Sequence, residues 1–259
     1  MKTVIFAGGF GSRISEESHL KPKPMIEIGG KPILWHIMKI YQHYGFNEFI
    51  ICLGYKGYVI KEYFANYFLH NCDVSFDLSS NEMTVHKNFA DDLKVTLVDT
   101  GSHTMTAGRL QAVKEYLAGE DTFMLTYGDG VSDVDINQLL SFHKESGKIC
   151  TVTAIQPVAK FGVLDIDDSG AVQGFVEKPK KDGSWINGGF FVLNKEVFSY
   201  LEGDMSDVMW EQNPMRQLQK DNQIAAYQHD GFWKSMDILR DKVELESMWK
   251  NNPKWKVWK

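Results

Sequence analysis

The chain has 259 residues, 43% of them hydrophobic and 24% charged, which is ordinary for a globular protein with a full core. Its net charge of −6 argues against a nucleic-acid partner, which would require a basic face. No apolar run approaches the length of a membrane span and the N-terminus lacks a signal-peptide pattern, so we expect no membrane partner. Cys52, Cys72 and Cys150 are far apart and odd in number, which favours reduced thiols and a cytoplasmic location.

Short apolar strands alternate with amphipathic helices through residues 1–150. The predicted strands are 4–6, 49–53, 95–98 and 123–126, and the predicted helices are 31–44, 58–69, 108–117 and 136–145. Pro32 suits the first turn of the first helix, and Gly45 suits the position after its end. We interpret His36 and His43 on this helix as packing or surface residues. The alternation predicts an α/β protein with a mixed, mainly parallel central sheet and helices on both faces.

The pattern changes after Cys150. Strands are predicted at 151–155, 163–166, 172–177 and 189–193, and helices at 195–201, 211–220 and 238–249. We interpret this part as a small antiparallel extension of one domain that spans residues 1–259. Trp249, Trp255 and Trp258 make the C-terminus too hydrophobic for a free tail, so we expect it to dock on the domain or contact another subunit.

A glycine-rich turn, Ala-Gly-Gly-Phe-Gly-Ser-Arg at 7–13, follows the first strand. Glycines let backbone N–H groups converge on an anion, and the guanidinium of Arg13 offers donors suited to phosphate oxygens. The run Lys-Pro-Lys-Pro at 21–24 adds two more cations. The turn lacks the ending of a Walker A loop and the third glycine of a dinucleotide fingerprint, so it predicts a different polyphosphate cradle. The alternative is a plain strand-to-helix turn in which the glycines only relieve crowding.

Two carboxylates are candidate ligands for Mg²⁺. Asp129 follows the strand at 123–126, at the sheet edge where the glycine-rich turn also lies. Asp237 ends an aromatic-rich run just before the last predicted helix. Mg²⁺ takes one or two protein carboxylates together with phosphate oxygens and water. The alternatives are a turn-forming Asp-Gly pair for Asp129 and the N-cap of the last helix for Asp237.

A further polar group lies at two strand ends in the second half. Glu177 and Lys178 end the strand at 172–177, and Asn187 with Gly188 opens the next one. A carboxylate, an ammonium and an amide at one sheet edge suit a sugar phosphate, with Glu177 and Asn187 for hydroxyl groups and Lys178 for the phosphate. A surface turn is the alternative.

Taken together, these motifs resemble those of the sugar-phosphate nucleotidyltransferases. The shared features are the glycine-rich turn, Lys-Pro-Lys-Pro, the Gly-Asp after an apolar strand, Glu-Lys-Pro, Asn-Gly-Gly and a late Asp. More narrowly, the segments 21–25, 29–36, 126–130 and 236–242 resemble the glucose-1-phosphate cytidylyltransferases. The resemblance implies a single Rossmann-like nucleotidyltransferase domain, with nucleotide binding in residues 1–150 and sugar-phosphate binding and oligomerisation in residues 151–259.

The resemblance also implies roles for individual residues. Arg13 and Lys23 would be the catalytic residues, and Asp129 and Asp237 would hold Mg²⁺. The residues expected to bind the nucleotide are Phe6, Ala7, Gly8, Gly9, Phe10, Gly11, Ser12, Arg13, Lys23, Thr104, Arg109 and Gly128. Those expected to bind the sugar phosphate are Glu177, Lys178, Asn187 and Gly188. Two departures from the family pattern, the pair Lys234-Ser235 and Phe10 in place of Leu, remove no charged group and bear only on sugar and base preference.

The implied reaction joins CTP and α-D-glucose 1-phosphate into CDP-glucose and pyrophosphate, for deoxysugar and O-antigen precursors. The implied assembly is a cytoplasmic homo-oligomer, commonly a hexamer. Base choice rests on backbone contacts that the sequence hardly reveals, so the same chemistry with UTP or dTTP stays open. A more distant alternative is a non-catalytic, nucleotide-sugar-binding regulatory subunit, which should have lost a metal-binding Asp or the pair of Arg13 and Lys23.

Overall fold

The computed structural model describes residues 1–14, 19–157, 163–176 and 184–259. Glu177 and Lys178 lie outside these described residues. The strands are β1 (Lys2–Phe6), β2 (Glu27–Ile28), β3 (Lys31–Pro32), β4 (Glu48–Leu53), β5 (Cys72–Asp77), β6 (Glu82–Asn88), β7 (Lys94–Asp99), β8 (Thr122–Tyr127), β9 (Gly130–Ser132), β10 (Cys150–Ile155), β11 (Val163–Ile166), β12 (Val172–Val176), β13 (Ile186–Asn187), β14 (Phe191–Asn194), β15 (Ile224–His229) and β16 (Trp233–Ser235).

The α-helices are α1 (Ile33–His43), α2 (Gly57–Ala65), α3 (Tyr67–His70), α4 (Thr106–Ala112), α5 (Ile136–Ser146), α6 (Asn213–Lys220) and α7 (Leu239–Asn251). Short 3₁₀ helices cover Ser12–Ile14, Lys23–Met25, Lys114–Leu117 and Lys195–Tyr200. None of the helices in the described part of the chain is long and apolar enough to cross a membrane.

A mixed, mainly parallel sheet forms the centre of the structure. Its strands lie in the order β7, β4, β1, β8, β14, β10 and β15, and β13 pairs with β10 beside β14. β1 is parallel to β4 and β8, β4 is parallel to β7, and β10 is parallel to β15. β14 is antiparallel to both β8 and β10, and β11 with β12 forms a separate antiparallel pair. The predicted α/β class with an antiparallel extension is therefore confirmed.

Both faces of the sheet are covered by helices. Ile5 packs in one apolar layer, together with side chains of α1, α5 and α7, whereas Val4 packs in the opposite layer with α4 and α6. Successive side chains of a strand point to opposite faces, so a strand that is covered on both sides needs an unbroken apolar run. This explains why the first strand of the chain could be predicted from so few residues.

Several elements differ from the sequence-based prediction. The predicted helix at 108–117 is α4 followed by a 3₁₀ turn, and the predicted helix at 195–201 is a 3₁₀ helix. α6 starts at Asn213 rather than at residue 211, because Pro214 suits the first turn of a helix. The pairs β2–β3 and β5–β6 and the strands β9 and β15 were not predicted, whereas β16 lies in the run at 231–237, whose sequence is strand-like. β6 is exposed at every position and has only two apolar residues, Met83 and Val85, so its alternation is too short to predict a strand.

The C-terminal tryptophans dock on the domain around His36. Trp255 is fully buried, and its indole N–H donates to Nδ1 of His36 at 3.3 Å. The other ring nitrogen of His36 therefore carries the proton and donates to the carbonyl oxygen of Ile28 at 2.8 Å. The ring of Trp249 meets His36 edge-on, with the ring centroids 4.8 Å apart. Docking of the C-terminus and a packing role for His36 both follow from these contacts.

The buried His36 makes the stability of the fold depend on pH. Burial lowers the pKa of this imidazole to about 4, from an ordinary value of 6.5, although hydrogen bonds with backbone groups of Ile28 and Lys31 oppose the shift. Between these two pH values His36 is protonated in the unfolded chain and neutral in the folded chain. Stability is therefore complete above the ordinary pKa and falls as the pH drops towards the folded pKa.

The free energy of unfolding should therefore fall by about 3 kcal/mol between neutral pH and the pKa of His36 in the folded protein. We expect His36→Gln to abolish this fall, as measured by urea denaturation at the two pH values. His43→Gln is the matched control because His43 is exposed on the same helix, and it should leave the pH dependence unchanged. An equal fall of stability in both variants would show that His36 is not the group that titrates.

Candidate active site

A cavity of about 370 Å³ opens at the carboxyl ends of β1 and β8. Ligands of open α/β sheets bind at this edge. The predicted nucleotide-binding and metal-binding residues all line this cavity: Phe6, Ala7, Gly8, Gly9, Phe10, Gly11, Ser12, Arg13, Lys23, Thr104, Arg109, Gly128, Asp129 and Asp237. Asn187 and Gly188 do not line the cavity. The amide of Asn187 nevertheless donates to the hydroxyl of Tyr127, and Tyr127 does line it.

The glycines of the wall let the backbone come close to a ligand and to its neighbours. A Cβ atom at Gly8 would lie 2.1 Å from the guanidinium of Arg109, and one at Gly128 would lie 2.7 Å from the carbonyl oxygen of Phe6. Neither position has room for a side chain. A Cβ atom at Gly9 would meet nothing within 4 Å, so this part of the turn faces open space.

Arg109 supports the glycine-rich turn from behind. Its side chain is buried, and its guanidinium donates to the carbonyl oxygens of Leu53 at 2.9 Å and Gly8 at 3.0 Å and to the hydroxyl of Thr100 at 2.7 Å. These bonds tie together the chain at the ends of β1, β4 and β7. The nucleotide contact that the sequence analysis predicted for Arg109 stays a prediction. In the structure one of its hydrogen bonds holds the turn at Gly8, and the other two fix its guanidinium at the neighbouring strand ends.

Lys23 joins the two predicted metal ligands. Its ammonium donates to Oδ2 of Asp129 at 2.6 Å and to Oδ1 of Asp237 at 2.9 Å, and only 10% of its side chain is exposed. Burial alone would lower the pKa of Lys23, but the two carboxylates outweigh burial and raise it above its ordinary value. Lys23 therefore stays charged, and it holds the two carboxylates around one point.

The carboxylate of Asp237 lines the cavity and does not cap α7, whose N-cap residue is Ile238. The carboxylate of Asp241 accepts the backbone N–H groups of Asp237 at 3.0 Å and Ile238 at 3.1 Å. Burial opposes ionisation of Asp237, yet hydrogen bonds from Lys23 and Ser235, together with the nearby guanidinium of Arg13, keep its pKa below the ordinary value. The alternative in which Asp237 is the N-cap of the last helix is therefore wrong, since Ile238 holds that position and the Asp237 carboxylate bonds to Lys23 and Ser235.

Arg13 reaches the same point from the glycine-rich turn. Its Nη2 lies 3.0 Å from Oδ1 of Asp237, and 74% of its side chain is exposed. Most of its donors thus remain open to the cavity.

The donor set at this point fits Mg²⁺. Asp129 and Asp237 are about one-third exposed, and an oxygen of each lies within hydrogen-bonding distance of the same nitrogen. No cluster of three or more potential metal-ligating side chains occurs within residues 1–14, 19–157, 163–176 and 184–259. Two carboxylates are sufficient for Mg²⁺ when phosphate oxygens and water complete its coordination.

Another part of the cavity wall carries hydroxyl groups and a third carboxylate. The hydroxyl of Tyr127 donates to Oε1 of Glu211 at 2.5 Å, and the hydroxyl of Thr106 donates to Oε2 at 2.8 Å. Burial, followed by the charge of Glu211, raises the pKa of Tyr127 far above its usual range. The phenol is therefore protonated and acts as a donor.

Met105 and Thr106 lie within the segment 104–109, which the family resemblance connects with the nucleotide. Sequence reasoning missed the rest of the wall, namely Pro24, Ser102, His103, Tyr127, Met209 and Glu211. Tyr127 directly precedes Gly128 and Asp129, and this adjacency was a usable signal. Glu211 had no such signal, because it reaches the cavity only through long-range docking. The backbone N–H groups of Met105 and Ala107 bond to the carbonyl oxygens of Ser206 and Val208, and these bonds bring the following residues to the wall.

Comparison with known proteins agrees with this geometry. A family model described as nucleotidyl transferase matches residues 2–248. The chain therefore belongs to the nucleotidyl transferase family, and it is an enzyme of that class.

Two curated relatives indicate a narrower group within the nucleotidyl transferase family. Glucose-1-phosphate cytidylyltransferases of Salmonella typhi and Salmonella typhimurium are each 55% identical over 259 residues, which is the full length of both chains. The resemblance to glucose-1-phosphate cytidylyltransferases is thus confirmed. A solved structure described as UDP-glucose pyrophosphorylase complexed with UDP-glucose has a TM-score of 0.68 at 20% identity, covering 96% of this chain and 98% of that one. At that identity, the likeness concerns the fold.

Removing the ammonium of Lys23 should tighten metal binding in the nucleotide-free protein. Lys23→Met leaves two carboxylates facing each other, and a divalent cation no longer competes with the ammonium for their oxygens. We expect the affinity for Mn²⁺, measured by electron paramagnetic resonance without nucleotide, to rise by about tenfold.

Lys39→Met is the matched control. Lys39 is also a mostly buried lysine, and it donates to a carboxylate oxygen of Asp91 at 2.6 Å outside the cavity. Its loss should leave Mn²⁺ binding unchanged. Equal or weaker Mn²⁺ binding by Lys23→Met would mean that the two carboxylates of the cavity do not share a cation.

Proposed function

We propose that the protein transfers the cytidylyl group of CTP to glucose 1-phosphate and releases pyrophosphate, giving CDP-glucose. The observation that carries this proposal is the meeting of Lys23 with Asp129 and Asp237 in one cavity below the glycine-rich turn. The full-length identity of 55% to glucose-1-phosphate cytidylyltransferases supports the choice of substrates.

In this reaction the protein forms no covalent bond to a substrate. Its task is to position charged groups around the reacting phosphates. A phosphate oxygen of glucose 1-phosphate attacks the α-phosphorus of CTP, and the bond from that phosphorus to the bridging oxygen of pyrophosphate breaks. The nucleophile is already an anion, so no general base is required. Orientation of two bound reactants contributes about 7–11 kcal/mol to such a step.

We assign the phosphates to the cationic end of the cavity. The backbone at Gly8 and Gly9 would hold nucleotide phosphates, and Arg13 and Lys23 would stabilise the charge that develops on the α-phosphoryl group and the leaving pyrophosphate. Mg²⁺, when bound by Asp129 and Asp237, would supply further positive charge to the nucleotide phosphates. The exposure of Arg13 supports this assignment, since most of its donors have no protein acceptor among the described contacts.

We assign the sugar phosphate to Glu177, Lys178, Asn187 and Gly188, as the resemblance implies. The hydrogen bond between Asn187 and Tyr127 supports this assignment for the part that the structure describes, because it connects β13 with the cavity wall. Residues 1–150 would supply most of the nucleotide site and residues 151–259 most of the sugar-phosphate site, with Asp237 contributed from the second part.

We also propose that the protein works in the cytoplasm as a homo-oligomer, a hexamer by family resemblance. The three cysteines are free, which suits a reducing compartment. The hairpin β5–β6 carries exposed apolar side chains, among them Phe76, Leu78 and Met83, and such a surface suits a contact between subunits.

The direct test is pyrophosphate release from each nucleoside triphosphate with glucose 1-phosphate. We expect CTP to be used best, and Asp129→Asn to lower kcat by more than about a hundredfold because the variant loses an anionic metal ligand. Asp121→Asn is the control, since Asp121 is exposed and pairs with Lys195 outside the cavity. Faster turnover of UTP or dTTP than of CTP would overturn the choice of base, and near-normal activity of Asp129→Asn would remove Asp129 from the metal site.

Arg13 allows catalysis to be separated from binding. If its guanidinium acts on charge that develops during transfer, Arg13→Ala should lower kcat by about a hundredfold and raise the KM for CTP by less. Arg13→Lys should restore only part of this loss, because a point charge does not reproduce a planar pair of donors. Arg216→Ala, at an exposed position of α6, should behave as the unmodified protein. An unchanged kcat with a higher KM in Arg13→Ala would indicate uniform binding instead.

A further inference from the structure

Glu211 differs from the other carboxylates of the cavity in its partners. Asp129 and Asp237 both pair with the ammonium of Lys23. Glu211 forms no ion pair with any residue that the structure describes, and its partners are the hydroxyl groups of Tyr127 and Thr106. It therefore places, in the wall of a cavity that otherwise suits phosphates, a carboxylate that no cation of the described residues pairs with.

This charge limits which part of a substrate can lie against it. A phosphate group would be repelled by the carboxylate and attracted by the cations, so the phosphates belong beside Arg13 and Lys23. A carboxylate has about four lone-pair sites, of which two are used by protein hydroxyls. Since Glu211 is only partly buried and lines the cavity, its remaining acceptor sites can receive donors from a ligand.

The carboxylate is also held rigidly. Each of its oxygens accepts one hydroxyl group, and the hydroxyl of Thr106 itself accepts the backbone N–H of Trp210 at 2.8 Å. The hydroxyl of Tyr127 is fixed in turn by the amide of Asn187 at 3.1 Å. A polar group that is oriented by its neighbours discriminates between ligands better than one that can turn away.

We propose that Glu211 is a specificity-determining residue that accepts hydrogen bonds from the hydroxyl groups of the bound substrates, either those of the hexose or those of the ribose. This inference rests on the proposed function, because it takes a sugar phosphate and a nucleotide as the ligands. Tyr127 and Thr106 act as positioning residues for the carboxylate. A substrate that lacks the recognised hydroxyl leaves the carboxylate without its donor and should react more slowly.

The test compares each natural substrate with analogues that lack one hydroxyl. The nucleotide arm uses CTP against its 2′-deoxy and 3′-deoxy forms, and the hexose arm uses glucose 1-phosphate against its 2-, 3-, 4- and 6-deoxy forms. The kcat/KM ratio of natural substrate to analogue is measured for the unmodified protein, Glu211→Gln, Tyr127→Phe and the control Glu202→Gln. Glu202 is exposed and does not line the cavity.

We expect at least one ratio to fall by about tenfold in Glu211→Gln, by less in Tyr127→Phe, and not at all in Glu202→Gln. A fall in the nucleotide arm identifies the ribose as the source of the hydroxyl, and a fall in the hexose arm identifies the sugar phosphate. Ratios within twofold of the unmodified protein in both arms, with thermal unfolding unchanged, would overturn the role of Glu211. If the unmodified protein prefers a nucleotide other than CTP, that nucleotide and its deoxy forms replace CTP in the nucleotide arm. A preference for another base would then contradict the proposed function and leave the role of Glu211 to be decided by the ratios.

Discussion

The contact of the Lys23 ammonium with Asp129 and Asp237 is the interaction on which the cavity depends. It joins residues that lie 106 and 214 positions apart in the chain, at 2.6 Å and 2.9 Å. A mostly buried ammonium is tolerated only when carboxylates offset its loss of hydration, and two carboxylates are kept close together only when a cation lies between them. The same three groups can therefore hold the site together without metal and offer a place for a divalent cation when phosphates arrive.

The cavity wall carries charge of both signs. Arg13 and Lys23 supply positive charge, and Glu211 supplies a carboxylate that hydroxyl groups hold in place. The cations attract phosphates, and the carboxylate can accept hydrogen bonds from the hydroxyl groups of a substrate. The rigid support comes from groups behind the wall, above all from Arg109, whose donors hold the glycine-rich turn against the ends of neighbouring strands.

Agreement between sequence and structure is best where local chemistry is unambiguous. β1 and β8 were predicted because each is an apolar run followed closely by glycine. The residues after them were predicted to bind a ligand because ligands lie beyond the carboxyl ends of such strands. β15 was missed because its residues are partly exposed and its sequence shows no clear alternation of apolar and polar residues. Only its pairing with β10 identifies it as a strand. For Asp237 the sequence allowed both a helix cap and a metal ligand. The structure excludes the cap, because Ile238 is the N-cap residue and the Asp237 carboxylate accepts from Lys23. The role of Asp237 as a metal ligand stays a prediction.

By itself, the sequence determined the class of fold, the glycine-rich turn, and the set of cations and carboxylates that a polyphosphate site requires. These are local properties, because backbone freedom at glycine, apolar periodicity and side-chain charge can be read from neighbouring residues. Only the tertiary structure decided which of these groups meet. Arg109 became the support of the turn, Lys23 became the link between two carboxylates, and Glu211 entered the cavity wall, because each contact joins segments that are distant in the chain and is formed only when the sheet and its covering helices are packed.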